Sequence, residues 1–169
     1  MTTYSKEIIK SLIDGTLPWA TTKAIMSGQK DEDRFEKYLE ILQERVPWQD
    51  RIVVPLGEHL YVVKKMVNGE KKFIIKCDCG HEFCDYQKNW KMEALIYVRD
   101  TEEKLDEVYP GDRKPDPNWS SIREYYCPGC KTQLEVEALP PGYPIIFDFL
   151  PDIEGFYNAN PKLKKKILD

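Results

Sequence analysis

The spacing of apolar side chains changes character part-way along the chain. In the first fifty residues they recur three and four positions apart, the period of one face of a helix. In "SKEIIKSLIDG", Ile8, Ile9, Leu12 and Ile13 share such a face, with Ser5 placed to cap the start and Gly15 to end it. In "DEDRFEKYLEILQERVPW" the face is Phe35, Tyr38, Leu39, Leu42 and Val46. Asp31 and Asp33 lie at its positive N-terminal end, Asp33 and Lys37 form a favourable four-apart pair, and Pro47 stops it. Residues 16–30, between these stretches, read as a connector.

From His59 onward the period is two. "HLYVVKKMVNGEKKFIIKC" is two alternating runs around Asn68-Gly69, a pair that favours a tight primed turn, and so predicts a β-hairpin. "MEALIYVRD" predicts a strand, "TEEKLDEVY" a short helix capped by Thr101, and residues 109–118 a loop. "SIREYYC" and "QLEVEAL" predict two strands flanking a turn at Cys127–Cys130. From Pro140 on, prolines and glycines are too frequent for regular structure, and the pattern predicts an extended arm carrying apolar anchors. Its end, with Lys162, Lys164, Lys165 and Lys166, reads as a solvated, frayed tail.

Five cysteines change the picture. They fall into two clusters, Cys77, Cys79 and Cys84 in the first, Cys127 and Cys130 in the second. "CPGC" is a C-x-x-C turn, in which Pro128 fixes one φ angle and Gly129 permits a tight reversal. Such a turn brings two sulfurs to one metal, and zinc prefers four thiolates in a structural site. Gly80 directly after Cys79 resembles the glycine of a zinc knuckle. The expected ligands of a structural zinc are Cys77, Cys79, Cys127 and Cys130, with Cys84 as the alternate for Cys77 and His81 behind it. An iron–sulfur cluster and plain thiols are the competing readings. The gap between the clusters exceeds the 15–20 residues of a compact ribbon, so a strand, a short helix and a loop must be inserted. The expected fold class is α+β: N-terminal helices over residues 1–50, a central antiparallel sheet with an expanded zinc-ribbon-like site over 51–139, and an extended irregular arm with its basic tail over 140–169.

Composition bounds the function. A net charge of -4 argues against a dedicated nucleic-acid binder. No run of about 18 apolar residues is present to span a membrane. The start of the chain lacks the apolar stretch of a secretory signal, which predicts a cytoplasmic protein with reduced thiols. There is no Gly-rich phosphate loop and no G-x-S-x-G. Of the two histidines, His81 lies within the cysteine cluster in a supporting place, and His59 begins a strand and is expected to be exposed. Asp148, Asp152 and Glu154 lie between aromatics in "FDFLPDIEGFY", where docking is a better reading than acid–base work.

Four blocks, "YLEILQERVPWQDRIVVPLGEHLYVV", "KCDCGHEFCDYQKNWK", "IREYYCPGC" and "QLEVEALPPGYPIIFDFLPDIEGFY", stand in one order from about residue 35 to 157. Together they resemble the gamma subunit of acetone carboxylase, a family that includes small subunits of related ketone carboxylases. The resemblance implies a zinc-binding small subunit without an active site of its own, in a cytoplasmic complex with large alpha and beta subunits. That complex is a C–C bond-forming ligase that makes acetoacetate from acetone and bicarbonate with ATP. ATP and manganese are then expected on the large subunits only. The competing expectation is an independent zinc-ribbon interaction module of another assembly. In either case the arm is expected to bury Phe147, Phe149, Phe156 and Tyr157 on something else, at about 1.5–3 kcal/mol per ring.

Overall fold

The computed structural model describes residues 3–169. Helix α1 (Lys6–Ile13) starts where the Ser5 hydroxyl accepts the Ile8 N–H. It turns Ile9 inward and lies along α3 (Arg34–Arg45), to which Lys6 is tied through Glu40 and Glu44. The face of α3 that the spacing predicts is the buried one, with Leu39 and Leu42 in the core. The connector contains a helix, α2 (Trp19–Ser27), bounded by Pro18 and Gly28. It escapes a periodicity reading because only Ile25 is buried and Trp19 and Met26 face solvent, so no apolar stripe marks it.

Two antiparallel sheets follow. Strands β1 (Arg51–Pro55), β2 (Leu60–Val67), β3 (Glu70–Cys77) and β4 (Glu82–Asp85) pair in that order. Strands β5 (Leu95–Arg99), β6 (Ser121–Tyr126) and β7 (Gln133–Leu139) form the second sheet. The β2–β3 hairpin turns at Asn68 and Gly69, whose φ angles of 54° and 82° are those of a primed turn, and its register runs unbroken from Val67↔Glu70 to Leu60↔Cys77. That register sets Cys77 at the far end of β3 from the turn. Gln43 docks the first sheet on α3: its side chain donates to the Asp50 carbonyl and accepts the Ile52 N–H. Helix α4 (Glu102–Asp106) is capped by Thr101 and buries Leu105. Trp90 joins the sheets, edge-on to Phe83 at 5.8 Å and to Tyr125 at 5.9 Å.

The arm runs without regular structure from Pro140 to Asp152 and then closes in two short helices, α5 (Ile153–Ala159) and α6 (Pro161–Ile167). The tail is therefore not frayed. Ile153, Tyr157, Ile167 and Leu168 are buried in the same cluster as Leu39, Val53 and Tyr125. The Tyr157 hydroxyl donates to the Val53 carbonyl at 2.8 Å, Lys64 donates to the Leu168 carbonyl, and Lys166 pairs with Glu36 and Glu40. Seven-residue helices separated by Asn160 alone, with Pro161 opening the second, are too short to show a repeating stripe, and they stand on tertiary packing. Tyr157, expected to seek an outside partner, is 1% exposed within its own chain. Among the described residues no helix is long and apolar enough to cross a membrane.

Candidate metal centre

The two cysteine clusters meet where the two sheets meet. Cys77 ends β3 and Cys79 lies in the turn before β4, while Cys127 and Cys130 bracket the turn between β6 and β7. All four sulfurs lie within 4.8 Å of one another. Cys77 Sγ is 3.8 Å from Cys130 Sγ, and Cys79 Sγ is 3.7 Å from Cys127 Sγ. Sulfurs bound tetrahedrally at about 2.3 Å from one metal stand about 3.8 Å apart. A disulfide needs about 2.05 Å, and all five cysteines are free. The four can hold a metal ion in a sulfur-only cage. Cys77 and Cys127 are buried, Cys79 and Cys130 exposed.

Each knuckle is shaped by its backbone. In the first, the Cys77 N–H donates to the His81 carbonyl and the Gly80 N–H to the Cys77 carbonyl, both at 2.9 Å. Gly80 takes φ +101°, and a Cβ there would also meet the Trp48 ring at 3.3 Å. Trp48 clamps this knuckle from α3's end, its indole Nε1 donating to the Asp78 carbonyl at 2.9 Å and to that of Cys77 at 3.2 Å. In the second knuckle the Cys127 N–H donates to the Thr132 carbonyl and the Lys131 N–H to the Cys127 carbonyl. Lys131, at φ 64°, supplies the left-handed residue. Gly129 serves a different need from the tight reversal: a Cβ on it would come within 3.0 Å of His81 Cβ and 3.5 Å of Cys79 Sγ, so glycine lets the two knuckles approach.

Electrostatics differ among the sulfurs. Burial pushes the Cys77 thiol well up, and Asp78, whose carboxylate is 3.2 Å away, adds to this. Cys79 is also raised, chiefly by burial. Cys130 resists burial and falls to about 6, because the Thr132 hydroxyl at 3.2 Å and the Thr132 N–H stabilise its thiolate and the neighbouring thiols add to them. A cation entering the cage meets a ready thiolate at Cys130 and must displace the protons that burial favours on Cys77 and Cys79.

Cys84 stands outside the cage. Its sulfur lies 3.8 Å from the Lys88 carbonyl, and burial with the carboxylates of Glu93 and Asp85 keeps its thiol protonated. His81 is half-buried with its ring edge-on to Phe83 at 5.0 Å. His59, expected in solvent, is instead half-buried: its Nδ1 is 2.7 Å from the Asp78 carboxylate, and its carbonyl accepts the Asp78 N–H. Thus Asp78 is held between His59 and Cys77.

A second cluster carried no signal recognisable in the sequence beyond Glu135 and Glu137 standing two apart on one strand face. Their carboxylates and that of Asp148 gather within 4.8 Å. The cation there is the Lys91 ammonium, 1% exposed, at 2.8, 2.8 and 3.0 Å from Glu135, Glu137 and Asp148. Tyr125 donates to Glu137 at 2.7 Å from the other side. Asp148 thereby ties the arm to the second sheet. Asp152 caps α5 by accepting the Gly155 N–H, and Glu154 is exposed in its first turn.

The acetone carboxylase gamma subunit family matches residues 46–160, which span both cysteine clusters and most of the arm. The chain belongs to the acetone carboxylase gamma subunit family. It is 49% identical over 154 residues to the acetone carboxylase gamma subunit of Xanthobacter autotrophicus, covering 91% of this chain and 90% of that relative. It is 38% identical over 93 residues to the acetophenone carboxylase beta subunit of Aromatoleum aromaticum, covering 54% of this chain and 70% of that relative. The family model's match begins just after α3, whereas the similarity to the Xanthobacter gamma subunit extends into the N-terminal helices.

Proposed function

We propose that this chain is the zinc-stapled small subunit of a cytoplasmic ketone carboxylase, without an active site of its own. In this reading the complex makes acetoacetate from acetone and bicarbonate with ATP, and ATP and manganese are bound by larger alpha and beta subunits. The observation that carries it is a sulfur-only cage joining two sheets in a chain of the gamma subunit family. Cys77, Cys79, Cys127 and Cys130 would hold the ion. Zinc suits the cage because thiolates at tetrahedral spacing select a soft-tolerant ion with no geometric demand of its own. Four thiolates leave no open position for water or substrate, which supports a structural role. The bound ion supplies a crosslink between segments about fifty residues apart in sequence, Cys77 to Cys130 being the widest pair.

The relatives' names support the assembly: one is a gamma subunit and the other a beta subunit, so each is one part of a larger carboxylase. The test is metal content and size on one sample. Purified from its native host, the chain should run in a large species with two bigger polypeptides and carry one zinc. A folded, metal-free, 20-kDa species overturns both the staple and the subunit reading.

A further inference from the structure

The arm crosses the molecule as a held ridge. Between Tyr143 and Phe156 it exposes Tyr143, Ile146, Phe147, Phe149, Leu150 and Phe156. A monomeric protein rarely leaves a large contiguous apolar surface in water. Polar ties fix this one in place. Arg123 donates to the carbonyls of Tyr143 and Pro144, Lys91 donates to Asp148, and Tyr157 to the Val53 carbonyl. Side chains presented on a fixed backbone lose less freedom on docking than those of a loose tail.

Beside the ridge lies a groove of about 310 Å³, lined by Phe35, Val54, Leu150, Ile153 and Phe156, with Asp152 on its wall. A dry cavity of about 150 Å³ takes one benzene ring, so this volume admits roughly two large apolar side chains. Two anchors, three or four residues apart, are what one face of an amphipathic helix offers. The rim is acidic. Residues 140–160 contain Asp148, Asp152 and Glu154 and no lysine or arginine. Lys91 neutralises Asp148, while Asp152 and Glu154 enter no ion pair among the described residues. A second copy of this chain would set the same acidic arm against itself, which charge repulsion disfavours.

We propose that this groove receives an amphipathic segment of a larger carboxylase subunit, carrying two apolar anchors beside a lysine or arginine. The proposal rests on the carboxylase reading above and names the surface through which it would work. The groove lies almost wholly in the part of the chain that the family match covers, Phe35 excepted.

The test is co-expression of the full chain with the larger subunits, capture through a tag on this chain, and titration of the captured complex. Leu150 is 55% exposed, so Leu150→Asp leaves the fold intact, as metal content and the melting curve will verify. We expect it to weaken retention of the larger subunits at least about tenfold. Glu154→Lys should weaken it less, by about twofold to fivefold, and the deficit should shrink at high salt. Equal retention by wild type and Leu150→Asp overturns the groove assignment and leaves the carboxylase reading standing. Failure of the wild type to retain any carboxylase subunit overturns that reading and this proposal with it. A wild-type dimer in isolation that Leu150→Asp dissolves identifies the occupant as a second copy and overturns the partner named here.

Discussion

Replacing Lys91 with methionine keeps the apolar stem and removes the ammonium. That ammonium is 1% exposed and touches three carboxylates at 2.8–3.0 Å. At about 3 Å and an effective dielectric near 20, each pair attracts by roughly 5 kcal/mol. Dehydrating the buried ammonium and its partners costs several kcal/mol per ion and offsets much of the sum. Removing one member of a buried ion pair costs about 3–5 kcal/mol. Here Glu135 and Asp148 remain 33% and 45% exposed, so solvent screens them and the lower end applies. The expected loss is about 3 kcal/mol at pH 7, or roughly 6–12 °C in Tm for a chain of this size. The loss has a pH signature. Burial pushes the Glu137 carboxyl up, but Lys91 and Tyr125 outweigh it and hold it below the usual carboxylate range. A depressed carboxyl contributes stability that is present above its unfolded value, about 4.3, and lost as pH falls through its folded value. In Lys91→Met three carboxylates face one another within 4.8 Å, so at least one is raised above its unfolded value. That variant gains stability as pH falls from 7 toward about 4.5, and the gap to wild type narrows to about 1–2 kcal/mol near pH 5. Urea unfolding of both proteins at pH 7 and pH 5, with metal content checked at each, measures it. A gap under about 1 kcal/mol at pH 7, or one that widens on acidification, refutes the network as drawn.

The fourth ligand is settled by single serine variants: Cys77→Ser should lose the metal and lower stability, whereas Cys84→Ser should keep one metal per chain. Gly129→Ala should force the knuckles apart by the clash with His81 Cβ, cost about 1–3 kcal/mol, and speed metal loss to a chelator. Tyr157→Phe leaves the Val53 carbonyl without its donor, which should cost about 1–2 kcal/mol and raise amide exchange in α5 and α6 ahead of the sheets.

Much of the fold was legible because its signals are local. Phe35, Leu39 and Leu42 mark α3 by spacing alone, Asn68-Gly69 marks the hairpin, and Thr101 marks the start of α4. The two cysteine clusters were visible because their ligand spacing is a property of one turn each. Separating Cys77 from Cys84 was not legible, since that choice depends on where β4 carries Cys84 after the turn. The division of the strands into two sheets, β1–β4 and β5–β7, depends on long-range pairing that no local pattern encodes. α2 and the arm helices escape the pattern for one reason: they stand on tertiary contact, α2 through its single buried residue Ile25 and the arm helices through Val53, Glu36 and Glu40. Lys91 was invisible because a lone lysine after a tryptophan looks like any surface residue until Glu135, Glu137 and Asp148 are brought around it.

The sulfur cage and the Lys91 cluster are two fasteners across one seam. The cage brings the end of β3 to the β6–β7 turn, and Trp90, edge-on to Phe83 and Tyr125, joins the sheets as well. Lys91 is the next residue, and it carries the tie from that seam through β7 to the arm. A 310 Å³ groove walled by the arm on one side and by Phe35 and Val54 on the other therefore takes its shape from contacts that begin at the seam. If the cage holds the proposed metal, its loss would free β3 from the β6–β7 turn, and with it the footing on which Trp90 and Lys91 hold the arm. In this chain an ion with no open coordination position would act at a distance, by fixing the surface that a partner meets.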